Sequence, residues 1–201
     1  GVLGIYLGEK GVGNKLTSFN GVKSWEDERN NWTEIDLLNN KGNSIKIETN
    51  NKLNTQQKIA IINNEIEDKY RELNRIAIDI NDINNNFDSI GSYMQYLGVF
   101  GDYGDIFPQI VIIRDNTIEE LNETMGNLGI AIDNVEEIIF RLTRAINNHN
   151  NNIGSLADIE KEIENFNVAM EKVNEQMENV KSTINNAKEN IRVINNSLDK
   201  I

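Results

Sequence analysis

Apolar residues recur along most of this chain at alternating steps of three and four. With heptad position a at Ile59, Ile66, Leu73, Ile80 and Phe87, and d at Ile62, Lys69, Ile76, Ile83 and Ile90, nine of the ten positions are apolar, Lys69 being the exception. A repeat of about 3.5 residues held this long predicts a helix that supercoils with others. This first coiled-coil segment spans 55–90, with Thr55 placed to cap its start and Gly91 to stop it. A second segment spans 118–201. It opens with a at Ile118, Met125, Ile132, Ile139, Ile146 and Ile153, and d at Leu121, Leu128, Val135, Leu142, His149 and Leu156. The step from Leu156 to Ile159 is three where four is due, a stammer. The register then resumes with a at Ile163, Met170, Met177, Ile184, Ile191 and Leu198, and d at Phe166, Val173, Val180, Ala187, Ile194 and Ile201.

Three stretches depart from this period. Residues 1–54 are punctuated by Gly1, Gly4, Gly8, Gly11 and Gly13, and Val2–Leu7 and Ser44–Thr49 have the patterns of short strands, so a small N-terminal β/loop module is expected, anchored by Trp25 and Trp32. In 91–117, Tyr93, Tyr96, Phe100, Tyr103 and Phe107 alternate with Gly98, Gly101 and Gly104 ahead of Pro108, and Ile110–Ile113 suggests a short buried strand. The run 147–154 is Asn-rich and loop-like, and Ser155-Leu156-Ala157-Asp158 resembles a capping signal restarting a helix. Here the chain either passes through a local distortion or turns back on itself, and the heptad phase surviving to Leu156 favours passage.

Seam identity bears on how many strands wind together. Ile at both a and d favours trimers, whereas Ile at a with Leu at d over 118–142 suits dimers. A stripe covering about two-sevenths of each helix is narrow for a bundle that closes on itself. The expectation is therefore a mainly α fold: an elongated parallel trimeric coiled coil, with a small N-terminal β-rich module and a β-containing insert between coil segments. A dimer and an intramolecular bundle are the alternatives. The expected oligomer core is Ile59, Ile62, Ile66, Leu73, Ile76, Ile80, Ile83, Phe87 and Ile90 in the first coil. In the second it is Ile118, Leu121, Leu128, Ile132, Ile139, Leu142, Ile163, Phe166, Ile184, Ile191 and Ile194.

Composition narrows the chemistry. The net charge of −12 argues against nucleic acid or an anionic membrane as partner. No run approaches the roughly 18 apolar residues of a membrane span. Without cysteine there is no disulfide or thiolate metal site. Asn occurs 35 times, mostly between regular apolar positions, which fits codon bias better than a prion-like tract. His149, the single histidine, would meet its copies near a trimer axis and could there hold a metal; a tolerated polar residue in an Asn-rich stretch is the simpler account. Lys69 could set register, or pack its stem and send its ammonium to water. Asp102 and Asp105 lack the further oxygen ligands of a calcium loop. Asn31-Trp32-Thr33, Asn122-Glu123-Thr124 and Asn195-Asn196-Ser197 match glycosylation acceptors at a rate expected by chance. The aromatics of 91–107 could stack against glycan, though a trimer core is the favoured use. No nucleophile–base pair or phosphate loop stands out, so no enzyme and no cofactor are expected.

In layout, coils 59–90 and 118–201 interrupted by the insert 91–117 and the loop 147–154 resemble the fibrous proteins of tailed bacteriophages, such as fibritin-like whiskers and head or tail fibres. That resemblance covers about three quarters of the chain and carries over no functional residue. It implies a homotrimeric structural or attachment component of a virion, docking to other virion proteins through residues 1–54 or the 91–117 insert. Bacterial surface adhesins and stalks share the layout and imply a cell-surface setting with a host ligand. A monomeric helical-bundle binding protein is the third expectation.

Overall fold

The computed structural model describes residues 50–201 apart from Asp102. They form three long helices: α1 (Asn50–Gly98), α2 (Ile106–Asn150) and α3 (Leu156–Asp199). Among the described residues there is no strand. The mainly α expectation holds, and the β-containing insert does not. Ile110–Ile113 are the fifth to eighth residues of α2, past the first turn, where backbone groups pair within the helix. The proposed N-terminal β module falls outside the described residues except at its end, where 50–54 are already helical.

The expected helix boundaries also move. Thr55 caps nothing: α1 begins at Asn50, and Thr55 sits inside it at seam position d, fully buried. Gly91 does not stop α1, because Met94 and Leu97 continue the a and d positions and Leu97 is buried. Pro108 falls in the first turn of α2, where a missing N–H costs nothing. The capping signal does hold: the Ser155 N–H donates to Asp158 Oδ2 at 3.3 Å as α3 begins.

The helices pack within two compact units. In one, built from 50–74 and 130–175, the seam residues Ile59, Ile62, Ile66 and Leu73 of α1, Ile132, Ile139 and Leu142 of α2, and Ile163 and Phe166 of α3 are buried. Arg141 Nε donates to Glu162 Oε2 at 3.1 Å, although 21 residues of unbroken helix would separate them by about 31 Å. The chain therefore reverses between α2 and α3. Asn152 takes the left-handed conformation (φ 62°) in this turn, and the Asn-rich run ends a helix where passage was favoured. The stammer marks the same event, since a new helix need not keep the old phase.

The other unit is built from 75–129 and 176–201. Ile76, Ile80, Ile83, Phe87 and Ile90 of α1, Ile118, Leu121 and Leu128 of α2, and Ile184, Ile191 and Ile194 of α3 are buried there. Neighbouring residues of α3 touch both other helices: Lys188 Nζ lies 3.3 Å from Asp79 Oδ1, and Asn190 Nδ2 donates to Thr117 Oγ1 at 2.9 Å.

Every residue expected in an oligomer core is thus buried by its own chain, whose other helices supply the cover that was expected from further copies. The reason lies beside the seams. In α2 and α3, position g is also withdrawn from water: Ile110, Thr117, Ala131, Ile138, Ala169 and Thr183 are buried, and Glu162, Gln176 and Asn190 are half-buried. In α1, Asn63 and Ala77 at position e are buried. The stripe is about three-sevenths wide, the width of a globular bundle rather than a two-position seam. Apart from Ile110 and Ile138, small and polar side chains form its third row, so it is largely hidden from a count of large apolar residues.

Candidate docking surface at the α1–α2 hairpin

The residues singled out for chemistry are scattered over the helices and turns. His149 sits near the end of α2, its Nδ1 3.2 Å from the Gly154 carbonyl oxygen, where it ties down the turn into α3. Among the described residues, no group of three or more His, Asp or Glu side chains is arranged to hold a metal ion. Lys69 is buried at its seam position and points its Nζ at Glu72 Oε1, 3.3 Å away, instead of at open water. Asp105 is exposed in the turn before α2. Asn122 and Asn195 lie within helices.

One polar cluster went unforeseen. Glu160 accepts from Thr55 Oγ1 at 2.5 Å and from Lys58 Nζ at 2.7 Å, linking α1 to α3. Burial pushes the Glu160 carboxyl up, but the hydrogen bonds from Lys58 and Thr55, with the charge of Lys58, hold it below the usual glutamate value. The open groove beside it, about 900 Å³, is lined by Lys58, Glu160, Lys161, Glu164, Asn167 and three apolar residues. Its charges alternate and partly satisfy one another, so the groove selects no ligand charge.

The hairpin from Gly91 to Ile113 has a different character. Tyr93, Tyr96, Val99, Phe100 and Ile112 are exposed, Val99 at 80%, Phe100 at 66% and Tyr96 at 60%. Tyr93 and Tyr96 stack with ring centroids 6.3 Å apart, and Tyr96 meets Phe100 edge-on at 5.0 Å. Tyr103 and Phe107 form a second pair at 5.4 Å. These side chains stand outward for a periodic reason. With Met94 at a and Leu97 at d, Tyr93 and Phe100 fall at g and Tyr96 at c, off the main seam. Gly104 turns the chain with φ 62°, a conformation that costs glycine nothing. Next in sequence after the hairpin, Arg114 takes seam position d of α2 and is only 2% exposed, with Nε 3.7 Å from Asp115 Oδ1.

The glycines and aromatics of 91–107 pointed to a trimer core. The structure instead leaves Tyr93, Tyr96 and Phe100 exposed on a helical hairpin, with Tyr103 and Phe107 half-buried. The signal for this was present: continuing the first heptad register through Met94 and Leu97 separates the buried positions from the aromatic ones. No helix among the described residues is long and apolar enough to cross a membrane. No family model, curated protein or solved structure matches the chain.

Proposed function

We propose that this chain is a non-catalytic binding and spacing module, a helical bundle that closes on itself and offers its α1–α2 hairpin to a larger partner. One observation carries this: seams buried elsewhere along the helices coexist with a contiguous group of exposed rings at Tyr93, Tyr96 and Phe100. Tyrosine and phenylalanine supply large contact area at small entropic cost, and are enriched in the cores of recognition surfaces. A self-contained bundle can serve in the attachment apparatus of a virion or on a bacterial surface, the settings that the resemblance in layout implies. In this reading it does so as one chain, because the described seams are covered within the chain itself.

The test has two parts. Light scattering of the purified chain should return the 22.9 kDa of a single copy, and a mass three times larger would sink the proposal. The double variant Tyr96→Ala/Phe100→Ala should keep its helicity and change unfolding free energy by less than about 1 kcal/mol, the small effect expected at exposed positions. A loss of several kcal/mol would make the rings structural and remove the surface.

A further inference from the structure

We infer that the hairpin surface takes a protein segment bearing Arg or Lys side chains; the inference rests on the docking proposal above and adds the chemistry of the partner. Charge decides among the possible occupants. Between Gly91 and Ile113 the described side chains include one exposed carboxylate, Asp105, and no Lys or Arg. The nearest cation in sequence, Arg114, is buried. The whole chain carries −12, so a second copy, a nucleic acid or an anionic lipid surface would approach against repulsion. A cationic segment would be drawn in by the same field, which speeds encounter and rejects like-charged competitors.

The rings supply the short-range recognition. Tyr93 and Tyr96 stack with planes 17° apart and both are exposed, so the stacked pair presents aromatic surface to a guanidinium or ammonium group. A cation over a tyrosine face is attracted by the ring quadrupole, and Arg adds planar stacking. Val99 and Phe100 give the aliphatic stem of the same side chain an apolar seat.

The experiment uses the full chain and follows its Tyr and Phe ring signals by NMR. The probes are a Gly/Ser peptide with four spaced Arg residues, the same peptide with citrulline replacing Arg, cellohexaose, and phosphatidylcholine vesicles. The expected result is saturable movement of the Tyr93, Tyr96 and Phe100 signals by the Arg peptide alone, with affinity about tenfold lower for citrulline. Tyr96→Ala/Phe100→Ala should weaken Arg-peptide binding by a similar factor, while Glu164→Gln, on the other compact unit, should leave it unchanged. Equal binding of the citrulline peptide, or binding that survives the double variant, overturns the inference. Ring signals moved by cellohexaose or vesicles but not by the Arg peptide also overturn it, while leaving the docking surface in place. If no probe moves them, both proposals fail.

Discussion

Removing the Glu160 carboxylate tests whether the first and third helices of one molecule meet as described. Glu160 is separated from Thr55 by 105 residues in sequence and bonded to it at 2.5 Å, with Thr55 fully buried. A hydrogen bond from a buried hydroxyl to a charged acceptor contributes about 1.5–3 kcal/mol. The Lys58 ion pair adds little, since Lys58 is half exposed and such pairs contribute about 0–1 kcal/mol. Glu160→Ala should therefore destabilise by about 2–3 kcal/mol in urea unfolding at neutral pH. A double-mutant cycle with Thr55→Val should give a coupling of about 1–2 kcal/mol. The pH dependence has a defined sign. A carboxyl whose folded pKa is depressed contributes stability that is complete above its unfolded value and lost as pH falls through the folded one. The coupling should be full at neutrality and vanish in acid below the ordinary glutamate range. Repeating the cycle at a hundredfold dilution separates one chain from three, because a trimer would lose about 5 kcal/mol of assembly free energy and a monomer none. A coupling near zero, or a midpoint that moves with dilution, would refute the intramolecular arrangement.

Phe166 is fully buried, and Phe166→Ala should cost about 3–5 kcal/mol, read as a lowered thermal midpoint by circular dichroism. Ala131 occupies the inconspicuous third row of the α2 stripe at 5% exposure, so Ala131→Leu should overpack the bundle and cost about 1–3 kcal/mol by the same assay; a neutral result would mean the stripe is two positions wide. Asn152 holds φ 62° between α2 and α3, and Asn152→Val should destabilise by about 1–2 kcal/mol in urea, because a β-branched residue resists that conformation. Burial raises the Asp88 carboxyl, and its Oδ1 has no hydrogen-bond partner among the described residues. A carboxyl raised on folding costs stability once ionised, so Asp88→Asn should stabilise the protein at neutral pH and lose that advantage in acid.

The heptad period located the buried side chains well. From Ile59 to Ile90 and from Ile159 to Leu198, each seam position is buried, Lys69 included. What it could not supply was the identity of the cover, because knobs meet holes in the same way whether the facing helix belongs to the same chain or to another. Two further signals would have helped. The small residues Ala131, Ala169 and Thr183, a fixed step from the seam, mark a widened stripe, and the stammer at Leu156–Ile159 coincides with a chain reversal. The strand assigned to Ile110–Ile113 failed because four consecutive apolar residues have no period of their own, and their helical neighbours decided the matter. The Thr55–Glu160 contact was not legible at all, since nothing in a linear pattern pairs residues so far apart.

Internal cover changes what the sequence can mean for function. In a trimer, the aromatic residues of 91–107 would be the natural filling of an axial core, and their exposure would call for no partner. In a chain that satisfies its seams alone, the rings of Tyr93, Tyr96 and Phe100 remain exposed. Scattered exposed apolar residues such as Ile61 or Ile130 are ordinary on any protein, but Tyr93, Tyr96 and Phe100 touch one another in series. Truncating such a group would improve solubility at small cost in stability if it served only itself. Its placement on one hairpin, where a carboxylate is the only exposed charge among the described side chains, is the observation on which the proposed basic partner rests.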